Sequence, residues 1–231
     1  MRAVIDPVDG TVGGRTLKRR PEGHSMKLYH NPLSPNARRV LLTAAHLGLQ
    51  LDEQVIDVAK GEHKSPDYLA LNPNGMVPTL VDGPLTLWES RAIIQYLAAQ
   101  RPASGLLGKD EADRADITRW LTWDAAHLSP PVGTLIFETL FKPMLGLGAP
   151  NGEAIQRAGG EVRRFFAVLD ASLMGRTHLA GGGLTIADLG TAATLTYADR
   201  LQLPVAGFAN LAPWLGRIAA LEAWQKTQPT L

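Results

Sequence analysis

The chain has 231 residues, 45% of them hydrophobic and 19% charged, an ordinary globular balance with length enough for one or two cored domains. Its 23 Lys and Arg against 22 Asp and Glu leave a formal charge of +1, so no overall basic field points to nucleic acid or to an anionic membrane surface. With no cysteine, disulfides, thiolate metal sites and a protein thiol nucleophile are all excluded.

Residues 1–25 carry Pro7, Gly10, Gly13, Gly14 and Pro21 around the basic cluster Lys18, Arg19, Arg20, without sustained periodicity, and read as a flexible extension ahead of Met26. A basic targeting arm is the competing reading, diluted by Asp6, Asp9 and Glu22. No stretch reaches the roughly 18 uninterrupted apolar residues of a membrane span, nor is there a secretory h-region, so a cytoplasmic protein is expected. Lys27 to His30 reads as a short strand. Ser34 as N-cap and Pro35 at the first helical position then open a helix with an apolar stripe of Ala37, Val40, Leu41, Ala44 and Leu47, ended by Gly48. Leu51 to Val58 is the next strand, and Ser65-Pro66-Asp67 starts a short helix that Asn72-Pro73-Asn74-Gly75 ends. Val77 to Val81 and Leu85 to Trp88 form two strands joined by the hairpin signal Asp82-Gly83. Glu89-Ser90 leads into a helix burying Ile93, Ile94, Leu97 and Ala98.

A Pro, Ser and Gly linker around 102–108 separates this mixed domain from helical sequence. The pattern predicts a helix over Asp110 to Ser129 stopped by Pro130-Pro131, a piece over Val132 to Phe141, and a run over Glu153 to Leu173 interrupted by Gly159-Gly160. A capping box at Thr185 and Asp188 opens a helix to about Leu203, and another spans Asn210 to Trp224. The expected architecture is therefore α/β followed by all-α, with domains over 26–103 and 109–231.

The segments "PLSPNARRVL" and "GEHKSPDYLALNPNGMVPTLVDGPLTLWESRAIIQYLA", followed by "LTIADL" in the second domain, resemble the cytosolic glutathione transferase family. The match is to its serine-type members, of the phi and theta-like branch and bacterial relatives, and covers nearly all of residues 26–231. It implies a thioredoxin-like first domain that binds glutathione, an all-helical substrate domain, and a homodimer.

The chemistry of such a site is the activation of a thiol brought by the ligand. A free thiol of pKa near 8.5 is only about 3% ionised at pH 7. Ser34 matches the family's catalytic serine, whose hydroxyl donates to the ligand sulfur while the helix dipole adds to it; lowering the pKa by about 2 units favours the thiolate by about 2.7 kcal/mol. The decapeptide alone leaves a second reading, in which Ser34 only caps the helix. By the same resemblance Val77, before a cis Pro78, pairs its backbone with the cysteinyl part of glutathione; a trans proline starting an edge strand is the alternative. Met76 stands where many relatives carry a glutamine. Glu89 and Ser90 match the pair that holds the γ-glutamyl ammonium and carboxylate, and His63 and Lys64 the pair that meets the glycyl carboxylate. The bland readings are an N-cap beside a solvated acid and two solvated loop residues.

Trp120, Trp123 and His127 recur at helical spacing, with Phe137 and Phe141 further on. Such a stripe is core or the wall of an apolar electrophile pocket, for which Trp123 and Phe137 are the candidates. Arg38 and Arg39 suit interdomain or dimer contacts. The six His are dispersed, so no metal is expected. The implied function is a glutathione S-transferase attacking a largely apolar electrophile, with a glutathione-dependent peroxidase side activity open; the alternative is a non-catalytic glutathione-binding or regulatory protein of the same fold.

Overall fold

The computed structural model describes residues 25–230; the extension expected over 1–25 lies, apart from Ser25, outside them. β1 (Met26–His30), α1 (Pro35–His46) and β2 (Leu51–Val55) form a βαβ unit in which β1 and β2 pair in parallel. After α2 (Pro66–Leu71), β3 (Thr79–Asp82) and β4 (Leu85–Trp88) complete a four-stranded sheet of order β2-β1-β3-β4, with β3 antiparallel to both neighbours. Alternation of Met26, Leu28 and His30 toward one buried face packs β1 against α1 and α3 (Ser90–Ala99) through Val40, Leu42, Ile93, Ile94 and Leu97. This is the expected thioredoxin-like mixed domain.

β2 is shorter than expected, and β3 starts at Thr79 rather than Val77. α1 also departs from a one-striped helix. Arg38, Arg39, Leu42 and Thr43 are buried along with Ala37, Val40 and Ala44, because α3 covers one side and helices of the second domain cover the other.

The second domain comprises α4 (Glu111–Trp123), α5 (Ser129–Ile136), α6 (Lys142–Met144), α7 (Gly152–Ser172), α8 (Ile186–Thr194), α9 (Leu211–Ala219) and α10 (Glu222–Lys226). The stop expected at Pro130-Pro131 does not occur. α4, α5 and α6 are joined by two π-turns, Asp124–Leu128 and Phe137–Phe141, into one continuous rod. In the first, the Ser129 N–H reaches back five residues to the Asp124 carbonyl. The wider turn accommodates proline rings that lack the N–H an α-helix needs. Nor do Gly159-Gly160 interrupt α7, whose stripe of Ala158, Val162, Phe166 and Leu169 is buried on both sides of them. The capping box at Thr185 and Asp188 is present, but α8 ends at Thr194 and turns follow to Gln202. The helix expected over Asn210 to Trp224 breaks into α9 and α10.

α8 joins the two domains. It lies against α1, α3 and α4, and a Cβ on Gly190 would sit 2.9 Å from Leu121 Cδ2 and 3.2 Å from Ile94 Cδ1. Among the described residues no helix is long and apolar enough to cross a membrane.

Candidate active site

The chain from β1 into α1 is held at each step. The Asn31 side chain donates to the Ile56 carbonyl at 3.1 Å and accepts from the Leu33 N–H at 3.0 Å, while the Ser34 N–H donates to the Asn31 carbonyl at 3.0 Å. Ser34 has extended backbone (φ −79°, ψ 120°), and its Oγ accepts from the Ala37 N–H at 3.3 Å, so it is the N-cap the sequence predicts. That bond uses an oxygen lone pair and leaves the hydroxyl proton free to be donated. Capping and donation to a ligand are thus compatible.

A cleft of about 480 Å³ opens beside this helix start, with Asn36 of α1 on its wall; Ser34 itself does not line it. Val77, Glu89 and Ser90 line it, three of the expected residues, together with Asn36, Asn72, Asn74, Met76, Pro78 and Arg91. The Val77-Pro78 bond is cis. The approach to it is fixed from below: the Met76 carbonyl accepts from the Tyr68 hydroxyl at 2.6 Å and from the Asn72 amide at 2.8 Å, while the Met76 side chain is exposed. The N–H and C=O of Val77 have no hydrogen-bond partner among the described residues.

Glu89 is held at φ 71°, ψ 106°, a left-handed backbone that a residue with a Cβ adopts at a cost of about 1–3 kcal/mol. The kink exposes the Glu89 side chain and starts α3 at buried Ser90. His63 and Lys64 occupy a 3₁₀ turn over Glu62–Lys64 and do not line the cleft. Lys64 Nζ donates to the Gly75 carbonyl at 3.3 Å, which sets it beside Asn74 and Met76 at the cleft edge. Gly75 is required there: at φ +57°, a Cβ would stand 2.7 Å from Lys64 Nζ and 2.9 Å from the His63 carbonyl.

Trp123 is not brought to the cleft. It is half-buried in an aromatic cluster with Trp120, His127 and Phe165, so its helical spacing reports core packing between α4 and α7. Phe137 is 41% exposed on the second π-turn, on the same turn as Phe141, which meets Tyr197 edge-on at 6.1 Å. Tyr197 in turn donates to the Leu33 carbonyl at 2.8 Å, next to Ser34. Burial pushes its hydroxyl up to about 12.

Beneath the cleft lies a buried polar cluster. Arg39 donates from Nη1 to Asn36 Oδ1 (2.5 Å) and Ser90 Oγ (2.7 Å), from Nε to the Gly190 carbonyl (2.9 Å), and from Nη2 to Thr194 Oγ1 (2.8 Å) and Asp124 Oδ2 (3.3 Å). Asp124, fully buried, also receives Arg91 and Thr194, and pairs with Ser129. Burial lowers the Arg39 guanidinium to about 10, opposed by Asp124, so it is a cation at neutral pH. One guanidinium therefore orients residues at the starts of α1 and α3 and ties both to the second domain. Arg38 makes another interdomain contact, stacking 3.8 Å over the Trp224 ring and donating to its carbonyl at 3.1 Å.

Arg38 and Arg39 make the interdomain contacts expected of them, whereas Asp124 and Tyr197 escape a motif-based reading of the sequence. Asp124 did carry a signal: it falls at helical spacing from Ile117, Trp120, Leu121 and Leu128, and an acid on an apolar stripe requires a buried cation. Tyr197 carried none, because its partner is a main-chain carbonyl 164 residues away. Among the described residues no group of three or more His, Cys, Asp or Glu converges as a metal site.

Residues 24–99 match the family model described as glutathione S-transferase, N-terminal domain, and residues 129–222 that described as glutathione S-transferase, C-terminal domain. The chain is 38% identical over 207 residues to glutathione S-transferase 3 of Zea mays, covering 87% of this chain and 92% of that protein. Among solved structures it is similar to glutathione transferase F7 from Populus trichocarpa, with a TM-score of 0.82 at 26% identity, covering 87% of this chain and 97% of the other. It is similar as well to glutathione S-transferase-I bound with lactoylglutathione, with a TM-score of 0.81 at 28% identity over 88% and 98% of the two chains.

Proposed function

This chain belongs to the glutathione S-transferase family, and we propose that it transfers glutathione to an apolar electrophile, activating the thiol through the Ser34 hydroxyl. The observation that carries the reading is the convergence of Val77, Glu89 and Ser90 on one cleft beside the helix that Ser34 caps. The cysteinyl backbone pairs with the free N–H and C=O of Val77, as an added strand does. The γ-glutamyl carboxylate meets Ser90 and the N–H groups opening α3, where the helix dipole favours an anion, and the Glu89 carboxylate accepts from the ammonium. Lys64, with His63 beside it, takes the glycyl carboxylate at the cleft edge.

So held, the sulfur faces the start of α1. The Ser34 hydroxyl donates to it without losing its own proton, and the positive end of the 12-residue helix α1 adds to the bias toward thiolate. Phe137, exposed on the second π-turn, is the candidate for the electrophile's apolar contact. In this reading residues 26–103 are the glutathione-binding domain and 109–231 the electrophile-binding one, and the active form is a cytoplasmic homodimer.

The test is Ser34→Ala. The ultraviolet thiolate band of bound glutathione is expected to shrink at pH 7, and turnover of a chloronitroaromatic to fall by up to about 25-fold, the loss of thiolate that a return of the thiol to its free pKa brings. An unchanged band and rate would assign Ser34 to capping alone. Retention of the wild-type protein on immobilised glutathione without turnover of halogenated, epoxide, enone or hydroperoxide substrates would instead identify a binding protein.

A further inference from the structure

We propose that Tyr197, in the turns that follow α8, is a positioning residue for Ser34, so that the helical domain takes part in setting the acidity of the glutathione thiol. The proposal rests on the reading of Ser34 as the thiol's hydrogen-bond donor. The peptide unit joining Leu33 to Ser34 is gripped at both polar ends: its N–H donates to the Asn31 carbonyl at 3.0 Å, and its C=O accepts from the Tyr197 hydroxyl at 2.8 Å. Rotation of that peptide plane swings the Ser34 Cα–Cβ bond, and with it Oγ. The first grip belongs to the loop itself. The second comes from the other domain and is the one that relates Ser34 to the rod and its aromatic side chains.

The clamp is rigid on the tyrosine side. Tyr197 is 3% exposed, and its ring meets Phe141 of the second π-turn edge-on at 84°. A T-shaped pair of this kind has a preferred geometry rather than a loose apolar contact. Its hydroxyl is also a donor across the whole range in which a thiol titrates, since burial holds the phenol well above that range. Tyr197 makes no contact with the reacting sulfur in this arrangement. It acts through the main chain, which is why no motif around it advertises the role.

Tyr197→Phe removes the hydroxyl and keeps the ring on Phe141. In a folded variant, the pKa of bound glutathione, read from the thiolate band against pH, is expected to rise by about half a unit, or roughly threefold less thiolate below the pKa. kcat is expected to fall with it at pH 6.5 and to recover at high pH, while KM for glutathione stays within about twofold, because the residues that bind the peptide's two ends are untouched. In the Ser34→Ala background Tyr197→Phe should change neither the band nor kcat further. Asn31→Ala keeps the carbonyl that accepts from the Ser34 N–H but removes the side-chain bonds to the Ile56 carbonyl and from the Leu33 N–H that brace the same loop; it supplies an independent variant and should raise the thiol pKa too. A wild-type thiol pKa in Tyr197→Phe, or an equal loss with and without Ser34, overturns the positioning role while leaving Ser34's own role standing. If Ser34→Ala itself leaves the band unchanged, the serine reading fails, and this proposal fails with it.

Discussion

Glu89 shows how one residue can be costly to the fold and useful to the site. Its φ of 71° lies where glycine is comfortable and a glutamate is not, yet the kink both begins α3 at Ser90 and sets Glu89 on the wall of the cleft. Glu89→Gly is therefore expected to raise stability by about 1 kcal/mol in urea unfolding and to weaken glutathione binding in a titration. A variant both less stable and equally avid would show that neither the strain nor the ammonium contact is real. The pair Glu89-Ser90 was legible in the sequence as a motif. The backbone angle that makes it work was not, since local sequence favours no residue but glycine at that φ.

Among the helices, glycine has opposite meanings at two places. Gly159 and Gly160 sit within α7 with nothing within 4 Å of where a Cβ would stand. Each replacement by alanine is expected to stabilise the protein by about 0.5–1 kcal/mol through backbone entropy, seen as a higher melting temperature. Gly190 in α8 is the reverse case: a Cβ would press on Leu121 and Ile94, so Gly190→Ala should cost about 1–3 kcal/mol in the same measurement. Helix propensity alone does not separate the two cases, because it is a local quantity and the closeness of a neighbouring helix is not. The same holds for Pro130-Pro131, a local stop signal overridden by a π-turn and by burial of Val132, Leu135 and Ile136. Element types along the chain were readable from periodicity and caps; ends and interruptions were decided by packing.

At the scale of the molecule, the Arg39 and Asp124 cluster makes the two domains one unit. Asp124→Ala leaves the Arg39 and Arg91 guanidinium groups against each other without their carboxylate, and is expected to cost about 3–5 kcal/mol in denaturant unfolding, because a buried charge stripped of its partner keeps its desolvation penalty. Replacing both Arg39 and Asp124 with apolar residues of similar size should recover part of that loss while still weakening glutathione binding, since Ser90 and Asn36 lose their shared donor. A loss below about 1 kcal/mol in Asp124→Ala would mean that the interface is held by its apolar contacts alone.

The order of strands and helices, the caps at Ser34 and Thr185, the break between a mixed and a helical domain, and the glutathione motifs followed from the chain itself. These depend on residues within a few positions of one another, where periodicity, capping and turn chemistry act. Tertiary structure alone decided that Trp123 packs in an aromatic cluster with Trp120, His127 and Phe165, that both arginines after Ser34 are buried, and that Tyr197 grips the peptide before it. Each is a pairing between residues far apart in sequence, settled by which faces the two domains press together, and no local rule encodes that choice.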